Sequence, residues 1–101
     1  MTVVSVTQMV VVENKQNIQL QEGDVLVHNT TGTSITLYKY LPQTIEDEWV
    51  VKPRWECNVH NIVTGRLIDT VLHDAYLLRC VVRHGFNITR QVSLELEEEC
   101  D

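Results

Sequence analysis

The chain of 101 residues lacks the features that would place it in a membrane, outside the cell or on nucleic acid. It has no run of about 20 apolar residues, the length needed to span a bilayer. Its first stretch, MTVVSVTQMVVVENK, has neither the basic start nor the small-residue cleavage site of a signal peptide. Its eight Lys and Arg are scattered, whereas phosphate affinity depends on clustered basic side chains. We therefore expect an intracellular, cytoplasmic protein that binds neither membrane nor nucleic acid.

Cysteine is scarce, and its spacing does not form a disulfide framework. The three cysteines, Cys57, Cys80 and Cys100, are an odd number, so we expect reduced thiols. The stretches CNVH at 57–60 and CVVRH at 80–84 suggest a zinc site with two Cys and two His. Residues three apart in a strand face opposite sides, which turns Cys57 inward and His60 outward. We predict that Cys57 and Cys80 are buried core residues and that the protein binds no metal or cofactor.

Local catalytic patterns are also missing. Asp74 beside His73 is the only acid adjacent to a histidine. The chain contains no Gly-x-Ser-x-Gly sequence and no Gly-rich phosphate loop. We therefore predict that the protein has no catalytic residues and is not an enzyme.

The acidity of the chain is concentrated at its C-terminus. The formal net charge is -6, from 8 basic and 14 acidic residues, and five of the acids lie in residues 95–101. Without that segment 8 basic residues face 9 acidic ones, so the rest of the chain is nearly neutral. Repelling carboxylates with almost nothing to bury predict a disordered tail at 97–101. Residues 1–96 are then a single β-rich domain.

The rest of the sequence is typical of a small antiparallel β protein. Glycines separate short β-branched and apolar runs, and Trp55, Cys57 and Val59 alternate with polar residues as in a half-buried strand. We predict a partly open barrel or a sandwich of six to eight strands. The first run, residues 2–13, has apolar residues on both faces, which indicates a central strand or one covered by a partner.

One helix competes with a hairpin in residues 66–84. Helical spacing connects Ile68, Val71, Leu72, Ala75, Leu78 and Val82, and Gly85 follows as a C-cap. The same segment also alternates from residue 76 to 82, and the turn HGFN leads into a clearly alternating strand. The alternation favours the hairpin, and the helix remains the alternative.

The middle of the chain, residues 38–55, is where we expect a partner to bind. It holds both tryptophans, two of the three tyrosines, both prolines and three successive acids. Tyrosine and tryptophan are enriched at interface hot spots, and an acidic loop can steer a basic partner. The predicted partner-binding residues are Tyr38, Tyr40, Glu46, Asp47, Glu48 and Trp49.

The function expected from these features is protein binding. A small acidic module of this size fits an accessory or inhibitory protein that acts on a larger partner, and a viral or phage origin would suit that role. A homodimer is also expected, because pairing through the first strand would cover its second face and hide an edge. The alternative function is a ligand-binding or catalytic small barrel that uses His28 and the neighbourhood of Tyr38 and Tyr40.

Overall fold

The computed structural model describes the backbone of residues 2–13 and 17–98 and the side chains of residues 7–13 and 17–92. It contains eight strands and one helix in this part of the chain. The strands are β1 Thr2–Val12, β2 Val25–His28, β3 Ser34–Leu41, β4 Thr44–Glu46, β5 Trp49–Val51, β6 Arg54–Asn61, β7 Arg66–His73 and β8 Phe86–Glu98. The helix, α1, is Asp74–Arg83.

Six of the strands form one open antiparallel sheet in the order β1-β8-β2-β3-β6-β7. β4 and β5 form a separate two-stranded sheet. The prediction of a mainly antiparallel β protein with six to eight strands is confirmed, and the main sheet does not close on itself.

The core lies between α1 and one face of the main sheet. Two aliphatic side chains of α1, Leu77 and Val81, are buried against residues of the sheet and of the loop before β2. The sheet and loop residues in this core are Leu20, Leu26, Ile35, Leu37, Trp55, Cys57 and Ile88. Full burial of one large aliphatic side chain contributes about 1.5–3 kcal/mol to stability. The predicted half-buried strand over residues 55–59 is confirmed, with Val59 partly buried against the same core.

Residues 66–84 contain a strand followed by a helix, so the hairpin favoured for the second half of this segment was wrong. β7 ends where α1 begins, and Leu77, Cys80 and Val81 are the buried residues of α1. Their i, i+3, i+4 spacing puts them on one side of an amphipathic helix. Read as a strand, the alternation over residues 76–82 was misleading, because it assigns Leu77 and Val81 to the solvent side. Both face the sheet.

Gly85 ends the helix and turns the chain into β8. Its φ is 74°, a left-handed conformation that glycine adopts at little cost. A Cβ at this position would lie 3.0 Å from the side-chain Oδ1 of Asn29, and the Asn29 N–H donates to the Gly85 carbonyl at 2.9 Å. Glycine therefore lets α1 and β2 approach closely enough to share the core.

β1 is an edge strand, which corrects the expectation of a central one. Among the described strands it pairs only with β8. Its residues Met9, Val10 and Val11 are exposed although they alternate between the two faces of the sheet. Because side chains stand perpendicular to the sheet, an apolar pattern on both faces shows what a strand could bury, and the layers that pack on those faces decide whether it does. The other expectation, a covering partner, stays a prediction.

The ends of β1 and β8 form a ribbon that extends from the sheet. β2 pairs with β8 only at residues 86–89, so β8 pairs with β1 alone over residues 90–98. The molecule is correspondingly elongated, with extents of 64, 36 and 27 Å. The strand takes in residues 97 and 98, the first two of the predicted tail, while residues 99–101 lie outside the described residues.

A buried ion pair fastens the loop before β2 to β8. Arg90 Nε donates to Asp24 Oδ1 at 2.9 Å, and Arg90 Nη2 donates to Asp24 Oδ2 at 3.0 Å. The same Nη2 donates to the Gln19 carbonyl at 3.0 Å, and the Gln21 N–H donates to Asp24 Oδ2 at 2.9 Å. The hydrogen bonds to Asp24 raise the pKa of Arg90 above its ordinary value, so the guanidinium stays charged. The loop is therefore held in place along one wall of the core.

The single helix of the described chain gives no sign of a membrane span. α1 has only ten residues and is too short and too polar to cross a bilayer.

Candidate functional site

The hairpin of β4 and β5 extends from the end of the main sheet where β3 and β6 stop pairing. Every residue from Pro42 to Val50 is exposed. Pro42 precedes β4 and Pro53 follows β5, and neither residue has a backbone N–H with which to continue the β3–β6 ladder. The hairpin therefore stands as a separate two-stranded element outside the core.

Both faces of this hairpin carry large apolar side chains. Trp49 is 77% exposed, Ile45 is 74% exposed, and Val50 is also exposed. Ile45 pairs with Val50 on one face, and Glu46 pairs with Trp49 on the other. A buried aromatic side chain removes about 150–250 Å² from water, so the hairpin leaves an unusually large favourable burial unused. The hairpin therefore presents apolar side chains to solvent on each of its faces.

The turn at the tip of the hairpin holds two acids in the left-handed conformation. Asp47 and Glu48 have φ values of 48° and 69°, as a two-residue type I′ turn requires at both positions. Asn-Gly and Asp-Gly are the favoured pairs there, so Asp47 suits its position, whereas the left-handed conformation costs Glu48 about 1–2 kcal/mol. With Glu46 beside them, three exposed carboxylates crowd the tip. The tip therefore combines backbone strain at Glu48 with a local concentration of negative charge.

The predicted site residues do not form one patch. Glu46, Asp47, Glu48 and Trp49 lie together on the hairpin. Tyr38 is on the open face of the main sheet, where it lines a small cavity with Glu56, Asp69 and Val71.

Tyr40 lies on the opposite face of that sheet, against Trp55, with a ring-centroid distance of 4.9 Å. A β-bulge between Leu37 and Lys39 separates the two tyrosines. Without the bulge, residues two apart would share a face.

The two tryptophans have opposite environments. Trp55 is only 2% exposed, and its Nε1–H donates to Asp74 Oδ1 at 2.8 Å. That bond connects the start of β6 to the first turn of α1 and satisfies a donor that burial would otherwise leave without a partner. Trp55 is a core residue, whereas Trp49 is a surface residue.

A solvent-open cavity of about 640 Å³ lies beside the base of the hairpin. Its walls come from the loop before β2, from the Tyr40 and Trp55 pair and from the start of α1. The charged groups in its lining, Glu22 and Asp74, are both acidic. Glu22 Oε1 also accepts a hydrogen bond from the Tyr40 N–H at 3.3 Å. The cavity thus places further negative charge next to the acidic hairpin.

His28 contributes to local structure rather than to this cavity. Its Nδ1 accepts a hydrogen bond from the Thr31 N–H at 3.2 Å and lies 3.0 Å from Thr31 Oγ1. Its ring meets the Phe86 ring edge-on at 5.0 Å. His28, Tyr38 and Tyr40 line no common cavity among those described.

The cysteine predictions are confirmed as far as placement goes. Cys57 and Cys80 are both buried, and His60 is exposed on the face opposite to Cys57. The Cys57 thiol donates to the Thr70 carbonyl at 3.6 Å, and burial raises the pKa of this thiol. Within residues 7–13 and 17–92 no group of three potential metal ligands converges. Cys100 lies outside the described residues.

Sequence reasoning missed Ile45 and Val50 as members of the exposed surface. The available signal was the pair of prolines that bracket residues 43–52, with an even number of residues between two short β-branched runs. The turn was hidden because Asp-Glu is not a typical type I′ pair. Glu22 and Asp74 were missed because they are 52 positions apart and meet only through the fold.

Comparison with protein families, with curated proteins and with solved structures finds no match to this chain.

Proposed function

We propose that the protein is a small protein-binding module that docks on a larger partner through its β4–β5 hairpin. The observation that carries this proposal is the exposure of Trp49, Ile45 and Val50 on an element of which only Val51 is partly buried. A domain that folds around α1 gains no stability from leaving these side chains in water. Burial against a partner would supply that stabilisation.

Trp49 is the expected centre of the interface. Tryptophan is among the residues most enriched at hot spots, where truncation costs at least about 2 kcal/mol of binding free energy. Ile45 and Val50 lie on the other face of the same two strands, so the hairpin suits a groove that encloses it from both sides. A projecting element of this form fits an accessory or inhibitory protein that occupies a cleft in its target.

The charge around the hairpin favours a basic partner surface. Glu46, Asp47 and Glu48 crowd the tip, and Glu22 and Asp74 line the cavity at the base. Complementary charge accelerates diffusional encounter and excludes partners of the wrong sign. The apolar side chains would then supply affinity and the carboxylates would supply orientation and rate.

Binding fits the available side chains better than catalysis does. Asp74 and His28, which are obvious candidates for acid–base chemistry, are both engaged in hydrogen bonds that hold the fold together. Both groups therefore have a structural role in the described fold. We therefore propose that the protein acts by occupying a surface of its partner.

Removal of the acidic tip tests the electrostatic part of the proposal. The partner is first captured from the native host with wild-type protein and identified by mass spectrometry, and its association rate is then measured. Replacing Glu46, Asp47 and Glu48 together with Ser should slow association about tenfold at low ionic strength. The difference should shrink as salt is added, because the screening length falls to about 10 Å at 0.1 M.

A control variant with the same change in net charge separates local from global electrostatics. Glu13, Glu56 and Asp69 are exposed acids outside the hairpin, and replacing all three with Ser also changes the net charge from -6 to -3. This control should associate at close to the wild-type rate. Equal association rates for both triple variants and the wild type would exclude the acidic tip as the steering element.

A further inference from the structure

β1 is an edge strand without the usual protection against pairing. Its eleven residues, TVVSVTQMVVV, contain no charged residue, no proline and no glycine. Natural edge strands avoid association through charges, prolines, bulges or short length. The register of β1 with β8 runs from Thr2 to Val12 without a bulge. Met9 and Val11 share one face near the end of this strand and are each more than half exposed.

The other free edges of the same sheet are protected. β7, the opposite edge, carries Arg66, Asp69 and His73 within eight residues. The free side of β8 beyond residue 89 runs along a segment that contains Arg90, Glu95, Glu97 and Glu98. β1 is thus the one long edge in the described sheet that lacks charge. It is therefore the edge best suited to pair with another strand.

We propose that β1 pairs antiparallel with β1 of a second copy of this chain across a two-fold axis near Thr7. An antiparallel two-fold pairing requires the same strand on both sides, and β1 meets its copy without like-charge repulsion because it carries no charge. Full overlap of the two eleven-residue strands places Thr7, the middle residue, opposite its own copy. Such overlap forms about ten main-chain hydrogen bonds, a number typical of a specific interface.

This pairing also supports the ribbon that β1 forms with β8. A two-stranded ribbon is marginally stable by itself in water, and over residues 90–98 none of the other described strands pairs with the ribbon. In the dimer the two ribbons join into four adjacent strands in the order β8-β1-β1-β8. The β4–β5 hairpin follows β3 and precedes β6, on the far side of the sheet, and stays free in each copy.

Light scattering coupled to size-exclusion chromatography tests the proposal. The wild-type protein should have twice the chain mass of 11.7 kDa at high micromolar concentration. Replacing Met9 and Val11 together with Lys should give the monomer mass, because it adds four positive charges across the paired strands. The matched control replaces Leu67 and Val71 of β7 with Lys, and it should stay dimeric. A monomeric wild type, or a dimer unaffected by the lysines on β1, would overturn the proposal.

A cross-link provides a readout that does not depend on the lysine variant folding. Facing residues of an antiparallel pair have Cβ atoms about 4.5–5.5 Å apart, close enough for a disulfide with slight adjustment. In a Cys100→Ser background, Thr7→Cys should form a covalent dimer on mild oxidation, whereas Leu67→Cys should not. Cross-linking at Leu67 or its absence at Thr7 would contradict the two-fold pairing through β1.

Discussion

Trp55→Ala is expected to lower the free energy of unfolding by about 3–5 kcal/mol, the range for truncating a large buried aromatic side chain. The indole is 2% exposed and belongs to the core between the sheet and α1. The change removes that volume and leaves the Asp74 carboxylate without the hydrogen bond from Trp55 Nε1. Chemical denaturation monitored by circular dichroism measures the effect.

Trp49 supplies the matched control because it is the same residue type in the opposite environment. Trp49→Ala should change the free energy of unfolding by no more than about 0.5 kcal/mol, as is usual for an exposed position. Trp55→Phe should fall between the two, since it keeps most of the apolar volume and loses the Nε1–H donor. A large loss of stability in Trp49→Ala would mean that the hairpin packs on the core.

Arg90→Leu is expected to lower the free energy of unfolding by about 3 kcal/mol. Removing one partner of a buried ion pair costs about 3–5 kcal/mol because the other charge stays buried alone. The Arg90 side chain is 25% exposed and that of Asp24 is 1% exposed, so solvent screening places the expected cost at the lower end. The change also frees the loop carbonyl of Gln19 from its guanidinium donor.

A second substitution separates two contributions to this loss of stability: the unpaired charge of Asp24 and the missing contacts of the Arg90 side chain. Asp24→Asn in the Arg90→Leu background should recover part of the stability, because a neutral amide is less costly to bury than a carboxylate without its partner. Arg79→Leu is the control at an exposed position of α1 and should have an effect within about 0.5 kcal/mol. An Arg90→Leu variant as stable as this control would show that the ion pair does not hold the loop.

The strands of the main sheet could be predicted from the sequence wherever one of their faces is buried. The alternation of Trp55, Cys57 and Val59 with polar residues identified β6 and assigned Cys57 to the core face. The same rule failed over residues 76–82, because a short apolar stretch fits both the strand period of two and the helix period of 3.6. Packing against the sheet selects the helix there, since the helix buries Leu77 and Val81 and a strand would expose them.

Four of the predicted site residues lie together on one exposed element, but the geometry of the segment was beyond the sequence. Hot-spot and charge arguments selected residues 46–49, which lie on the exposed hairpin. They also grouped Tyr38 with Tyr40, and the bulge at Tyr38 sends these two side chains to opposite faces. A bulge depends on the pairing of β3 with β6, so neither strand alone reveals it.

The position of β1 shows a similar limit. The apolar run correctly indicated a strand over residues 2–12, but not its place in the sheet. Pairing order is a property of the whole sheet, and β1 lies at an edge because β8 inserts between it and β2. The mismatch between its composition and its position is itself informative, because it leads to the proposed pairing with a second copy.

Capture of the partner by Trp49→Ala protein is the most direct test of the claim that the hairpin is the binding surface. Quantitative mass spectrometry of proteins retained from the native host compares this variant with the wild type and with Tyr76→Ala, which truncates an exposed aromatic residue on α1. Wild type and Tyr76→Ala should retain the same partner. Trp49→Ala should lose most of it, with an affinity at least about thirtyfold lower for a hot-spot loss of 2 kcal/mol or more, while its unfolding curve stays unchanged. If Trp49→Ala retains the partner as well as the wild type does, the hairpin is not the binding surface and the open face of the sheet becomes the next candidate.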